Sequence, residues 1–382
     1  MRIASFNVEN LFERARVMNR ELWAGTDGSS NARWAAGRQP LEDYAALNAL
    51  LNQPVYSAAD KKKIIALLTR LGLAKSDESQ LVILRRNRGA LLKRPRSGGI
   101  EIVANGRDDW VGWVELTKEA VNEVATQNTA RVLRDVNADI VVVVEAENRI
   151  SLLRFNEQVL ADAVGGTSYD HIMLVDGNDD RGIDVGLMTR ATAVIETVRS
   201  HVDDRIGKDR IFSRDCPEFR LTLAAGGTLV VLANHLKSKG YGVPAEANRR
   251  RLAQANRVRE IYDGLAAAGI DQVVIAGDFN DTPDSAPLAP LIGQGSDLKD
   301  ISVHPKFDGD GRPGTYANGT KGSKIDYLLL SPALFERVKS GGVFRKGVWG
   351  GKHGTLWEIY PEMTSPAQAA SDHAAIWADL DI

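Results

Sequence analysis

Five apolar stretches of this 382-residue chain end on, or are entered through, residues that can carry or move charge. The run VVVV stops at Glu145, and LVVLAN reaches His235 with Lys237 and Lys239 behind it. VVIAG ends at Asp278 and Asn280, KID carries Asp326, and Asp372 and His373 precede the last apolar run. A carboxylate taken out of water without a partner either destabilises the fold or gives up its charge. Acids gathered at strand ends therefore call for a compensating cation or a hydrogen-bond network. Acidic and amide oxygens, with few histidines and no thiolates, suit a hard cation, Mg²⁺ or Mn²⁺, before zinc. Taken singly, each residue has a plainer reading as a strand-end acid, a backbone-bonded histidine or a turn cap. Repetition at five strand ends argues for chemistry.

These residues need a scaffold. RIASFNV alternates as an opening strand should, and DIVVVVEAEN is a continuous run typical of a strand covered on both faces. Further strands are expected at DVGLMTR, GTLVVLANHLKS, QVVIAGDFN, KIDYLLLS and HAAIWADLDI, with a long helix from Pro244 to about Ala267. A helix is expected from Thr117, with Glu119 in its first turn and Val121, Val124, Val132, Leu133 and Val136 facing a core. Some strands follow one another too closely for βαβ crossovers, which favours packed sheets with helices outside.

Residues 12 to about 114 differ in texture and read as an insertion within a single domain spanning 1–382. PLEDYAALNALLNQ reads as a helix. Ser57 followed by Asp60 signals a capped start for a second helix, with Ile64, Leu67, Leu68 and Leu71 on one face. LVILRRNRGALLKRPR and GIEIVANGRDDWVGWVEL read as strands joined by glycine turns, and the Gly-rich piece 308–322 as a loop with freedom to move.

The balance of 48 Lys and Arg against 50 Asp and Glu leaves no global positive field, so attraction to a polyanion must be local. One cysteine, Cys216, excludes an internal disulfide framework and a thiolate metal cluster. The amino terminus has no long apolar run with a cleavage site and no membrane-length apolar stretch occurs, so the expectation is a cytoplasmic protein without a membrane partner.

In order along the chain, SFNVENL, VVVVEAEN, RGIDVGLM, ANHLKSK, AGDFND, KIDYLLL and SDHAAI resemble the endonuclease/exonuclease/phosphatase superfamily, which includes deoxyribonuclease-I-like and exonuclease-III-like enzymes. The resemblance covers the first strand and residues from about 115 onward, and is silent on 12–114. It implies an α/β fold, a four-layer α/β/β/α sandwich of two packed mixed sheets, and hydrolysis of phosphoesters with Mg²⁺ or Mn²⁺. By the same resemblance Asn7, Glu145 and Asp372 are metal-side residues, with Glu9 assisting. Asp278 and Asn280 align and deprotonate water, His373 faces the scissile phosphate, Asp326 orients His373, and His235 contacts phosphate. Arg181 is a candidate phosphate clamp, because a guanidinium offers a bidentate fork. Asp184 reads as a supporting residue behind the site.

Substrate is read from local charge. Residues 85–96 hold Arg85, Arg86, Arg88, Lys93, Arg94 and Arg96 with no acid, and 237–259 add Lys237, Lys239, Arg249, Arg250, Arg251, Arg257 and Arg259 against Glu246. Such patches suit a phosphate-tracking groove. The plainer alternative is a solvated helix face. Trp110 and Trp113 are candidates for stacking bases, with core burial the competing fate. The leading expectation is a nuclease acting on DNA, with RNA as an alternative substrate and no obligate protein partner. The rivals are a phosphomonoesterase or phospholipid hydrolase on the same scaffold, and a catalytically silent binding module.

Overall fold

The computed structural model of the protein describes residues 1–9, 15–18, 30–118, 122–179, 181–239 and 243–382, with side chains of the first helix described from residue 39. The chain divides into two compact units, Met1–Phe12 with Val121–Ile382, and Glu13–Ala120. After the opening strand β1 (Arg2–Asn7), the second unit supplies α1 (Ser30–Leu51), α2 (Ala58–Arg70), β2 (Val82–Gly89), β3 (Leu92–Lys93), β4 (Glu101–Ile102) and β5 (Trp110–Leu116).

The first unit resumes with α3 (Glu123–Val136), β6 (Ile140–Ala146), α4 (Arg149–Arg154), β7 (His171–Val175), β8 (Asp184–Thr189) and β9 (Ala193–Arg199). A small hairpin of β10 (Arg205–Ile206) and β11 (Asp209–Arg210) leads to β12 (Glu218–Leu223), β13 (Thr228–His235) and α5 (Pro244–Ala267). The remaining strands are β14 (Val273–Asp278), β15 (Lys299–Asp300), β16 (Phe307–Asp308), β17 (Asp326–Leu330), β18 (Val338–Phe344) and β19 (Ala375–Leu380).

Two mixed sheets result, ordered β16-β18-β19-β1-β6-β8-β7 and β15-β17-β14-β13-β12-β9. The reason lies in the apolar runs. In β6 every residue from Ile140 to Val144 is fully buried. Val142 and Val144 meet Val231, Ala233, Val274 and Ala276 of the other sheet. Val141 and Val143 turn the opposite way, onto Ala130 and Leu133 of α3. Because side chains alternate along a strand, five consecutive β-branched residues are stable only with a layer on each face. Each such burial is worth about 1.5–3 kcal/mol. On the far side, Val258, Ile261 and Tyr262 of α5 cover Val230, Leu232, Val273 and Ile275. The unit is therefore a four-layer α/β/β/α sandwich, as the resemblance implied.

Helix α3 begins later than the sequence suggests. Its cap is Asn122, whose side chain accepts from the Ala125 N–H at 3.2 Å, and its end is Asn137 in the left-handed region. Thr117 lies beyond β5 instead, and Glu119 and Val121 fall outside the described residues. Helix α5 runs from Pro244 to Ala267 as expected, but its basic residues are largely engaged. Arg251 is fully buried on Asp281, Arg257 pairs with Asp204 and Glu260, and Arg259 pairs with Asp263 and Asp297.

The second unit has its own core. Ser57 caps α2 as read, accepting from the Asp60 N–H while Asp60 accepts from the Ser57 N–H. Ile64, Leu67 and Leu68 pack with Leu47 and Leu51 of α1, Leu84 of β2 and Trp110 of β5. Asp43 of α1 accepts from Arg70 Nε at 2.7 Å and Nη2 at 2.8 Å, tying the two helices together. Trp110 is completely buried and donates to the Tyr56 hydroxyl at 3.0 Å, so it is a core residue and not a base-stacking one. Trp113 is 49% exposed, opposite Arg85. Among the described residues no helix is long and apolar enough to cross a membrane.

Candidate active site

The two sheets bring their polar ends to one place. β1 and β6 run parallel, with Asn7 opposite Val144, so Asn7 and Glu145 leave their strands side by side. β13 and β14 are also parallel, pairing His235 with Asp278, and the antiparallel β17 sets Asp326 opposite Asp278. The Asn7 side-chain amide donates to Asp278 Oδ2 at 3.3 Å, joining one sheet to the other.

Backbone geometry aims these groups. The β6–β8 register shifts between Val144 and Ala146, and Glu145 takes φ +66°. A bulge of this kind turns one side chain out of the regular alternation, and a positive φ in a non-glycine residue is strain usually tolerated where function requires it. Asn280 has φ +55° and donates to Asp278 twice, from its N–H at 2.8 Å and its amide at 3.1 Å. Gly277 is required by space as well as by its φ of +137°, since a Cβ there would sit 1.8 Å from the Asn234 carbonyl oxygen. That explains the GDFN turn: the glycine lets the strand leave abruptly, with the acid and the amide held against each other.

His373 is the centre of a second set. Its Nδ1 lies 2.9 and 3.1 Å from the two Asp326 oxygens, and the Thr315 hydroxyl donates to Asp326 Oδ2 at 2.6 Å. Its Nε2 faces Asp372 at 3.6 Å and Asp278 at 4.0 Å. Burial alone would depress the imidazole, but the charge and hydrogen bond of Asp326, with Asp278 and Asp372 nearby, hold its pKa well above the usual value. Burial and the charge of Asp326 push Asp278 up to about 7, against the pull of His373 and the Asn280 N–H. His235 behaves oppositely. Burial, then the charges of Arg214 and Arg181, drive it well below the ordinary histidine range, so the ring is neutral. Its Nε2 is 3.7 Å from both Glu145 and Asp278, and its buried Nδ1 has no hydrogen-bond partner among the described residues.

A cationic cluster borders this acidic centre. Asp179 lies 2.7 Å from Arg181 and 2.9 Å from Arg214, and despite burial these two charges hold it far below the usual carboxylate range. Burial, Arg214 and Arg181 bring Lys237 down to about 8. Arg214 is 2% exposed, and it was not singled out in the sequence. In the irregular stretch FSRDCP nothing periodic distinguishes it from a solvated charge. Thr315 and Tyr316 were also missed: Tyr316 lies 4.8 Å, centroid to centroid, from the His373 ring and bridges to it through the backbone. Both sit in the Gly-rich stretch read as free to move, which here is packed and bonded to Asp326.

Asn7, Glu145, His235, Asp278, Asn280, Asp326, Asp372 and His373 thus gather at one end of the sandwich, with Arg181 and Lys237 at its border. Lys239 is half-exposed and paired with Asp281, the residue after Asn280. Asp184, behind the site, accepts the Gly177 N–H at 2.8 Å, and burial raises it to about 7. Cys216 is fully buried, in keeping with an inert thiol. Arg85, Arg86 and Arg88 lie on β2 in the second unit, exposed, with Arg85 on Glu115 at 2.8 Å and Arg86 on Asp77 at 3.3 Å. Among the described residues, Asp278, Asp326 and His373 form a group that could hold a metal ion, each offering one ligand atom within 4.8 Å of the others. It does not coincide with the Asn7, Glu145 and Asp372 set expected on the metal side. A protonated imidazole has no free lone pair to offer an ion, so a metal in this group would rest on the carboxylate oxygens.

The sequence model of the endonuclease/exonuclease/phosphatase family matches residues 121–373. None of the curated proteins matches the chain. Among solved structures, an endonuclease/exonuclease/phosphatase from Bacteroides vulgatus shares 18% identity over 68% of this chain and 91% of its own, with a TM-score of 0.48. A mannosyl-6-phosphatase from Bacteroides thetaiotaomicron shares 18% over 68% and 91%, TM-score 0.47. The human Nocturnin catalytic domain shares 16% over 68% and 87%, TM-score 0.48.

Proposed function

As the chain belongs to the endonuclease/exonuclease/phosphatase family, a family of phosphoester hydrolases, we propose that it is a divalent-metal-dependent phosphodiesterase whose substrate is nucleic acid, DNA foremost. The observation that carries the reading is the buried Asp326–His373 pair beside Asp278. It keeps a cation and a potential base within reach of one phosphate.

In this reading Asp278, steadied by Asn280, takes a proton from the attacking water. His373, charged through Asp326, meets the phosphate oxygens and lowers the energy of the crowded negative transition state. Neutral His235 donates a hydrogen bond to the phosphate without adding charge. Arg181 and Arg214 supply the positive potential that draws an anion in. Glu145, Asn7 and Asp372 would hold the Mg²⁺ or Mn²⁺ ion. The fit rests on the donor set, which is hard oxygen. Such an ion, when bound, supplies charge relief on the phosphate and the leaving oxygen.

The test is hydrolysis by the purified protein of circular DNA, abasic duplex, RNA, phospholipid and a sugar monophosphate, with Mg²⁺, Mn²⁺ or chelator. Metal-dependent DNA cleavage is expected, and turnover confined to lipid or monophosphate would displace the reading. Asp278→Ala should lower cleavage by ~10²–10⁴-fold, the usual worth of a general base, with thermal unfolding nearly unchanged. Retained turnover would remove Asp278 from its role.

A further inference from the structure

A cavity of about 710 Å³ lies beside the catalytic residues and takes no part in the chemistry described above. Its walls come from three segments, two of them continuous with that chemistry. Thr282, Pro283 and Asp284 follow directly on the Asp278–Asp281 turn, and Lys321, Gly322 and Lys324 lead into Asp326. Phe307 and the glycine-rich loop through Arg312 and Pro313 close it. The cavity is built rather than loose. Arg345, 5% exposed, spreads its guanidinium over Asp310 at 2.6 Å, the Gly314 carbonyl at 2.7 Å and the Arg312 carbonyl at 2.8 Å. Lys324 is fixed by Asp300 at 3.0 Å and donates to the Asp326 carbonyl, so this wall is anchored to the residue that orients His373.

The lining is of two kinds. Phe307, Pro283 and Pro313 present flat apolar surface. Arg312 and Lys321 present positive charge and form no ion pair among the described residues, while the exposed Asp284, within the field of Lys321, contributes one carboxylate to the lining. Arg312 instead lies 5.4 Å above the Trp357 ring, which orients it without neutralising it. The volume is that of a small-molecule site, and it calls for a ligand with a planar apolar part and an anionic part. A nucleotide has both. A sugar phosphate would leave the ring of Phe307 and the two prolines facing hydroxyls. We propose that this cavity is a nucleotide subsite, taking the base of a residue next to the scissile phosphate against Phe307, with the following phosphate on Lys321 and Arg312. The proposal rests on the nucleic-acid reading above and adds to it where a flanking nucleotide is held.

Gly322 provides a way to fill the space: a Cβ there meets nothing within 4 Å and its φ lies outside the left-handed region. The experiment compares wild type, Gly322→Phe and Lys321→Glu on a fluorescein-labelled tetranucleotide and on methyl p-nitrophenyl phosphate, a diester with no flanking nucleotide. In both variants kcat/KM on the tetranucleotide should fall by about tenfold or more, mainly through KM, the effect of losing one stacked base or its phosphate. Turnover of the small diester should stay within about twofold. Equal losses on both substrates would mean that the variants disturb Asp326, and unchanged values on both would mean that the cavity is not used; either overturns the proposal. A wild type that cleaves neither diester contradicts the phosphodiesterase reading and leaves the cavity to be decided by fluorescence anisotropy. There, tetranucleotide binding that weakens in both variants and is displaced by adenosine monophosphate upholds the subsite. Binding that is absent, indifferent to the variants, or displaced better by ribose phosphate overturns it.

Discussion

Arg214 and Arg88 carry the same charge in opposite settings. Arg214 is buried against Asp179 and depresses His235 and Lys237, whereas Arg88 stands exposed on a strand of the second unit. Burial fixes a guanidinium and removes the water that would screen it, so one charge reaches several groups. On an exposed strand, solvent and salt blunt the same charge, and a nearby acid on the same surface is worth little to stability. Position, more than the number of arginines in a window, decides what a charge does.

The largest effect that follows is at Arg214. Arg214→Ala leaves Asp179 buried with Arg181 alone, and breaking a buried pair from one side costs about 3–5 kcal/mol. Chemical denaturation should show most of that loss, and cleavage should fall with it. An unchanged unfolding midpoint would mean that burial gives Arg214 no more weight in the fold than exposure gives Arg88. Asp179→Asn in the same background should recover part of the stability, because it removes the stranded charge.

Arg181→Ala is the intermediate case. Its side chain is 15% exposed and Asp179 keeps Arg214, so the fold should be nearly unaffected. The Arg181 fork is closed on Asp179, at 2.8 and 2.7 Å, so what is lost is positive potential at the border of the site, expected to cost about tenfold in kcat/KM. A stability loss as large as that of Arg214→Ala would reassign Arg181 to the scaffold.

Sequence reasoning reached one side of this contrast and not the other, for a physical reason. Glu145, Asp278 and His373 were legible because each ends or opens an apolar run, and polar groups repeated at several such points argue for a shared purpose. Gly277 was legible as punctuation. Arg214 and Asp179 were not, since they lie in irregular segments with no period, and their pairing spans 35 positions of chain that only the fold brings together. Thr315 was hidden by its glycines, which suggest freedom where Arg345 imposes order. Conversely, the run 85–96 looked like a nucleic-acid surface because it lacks acids in sequence, whereas Glu115 and Asp77 supply them in space.

That last point gives the smallest and sharpest test. If β2 meets DNA, its arginines act through counterion release, and each phosphate contact contributes a slope of about 0.9 in log affinity against log salt. Arg85 and Arg86 are already matched by Glu115 and Asp77, while Arg88 forms no ion pair among the described residues. Replacing all three by Gln should therefore reduce the slope by about 1, and not by about 3. Glu115→Gln frees Arg85 and should steepen the slope by about 1, with turnover of a small diester unchanged. A loss of about 3 in the triple variant would show that the surface acids yield to phosphate, making this strand a true grip on the duplex. No change at all would leave the strand a solvated face.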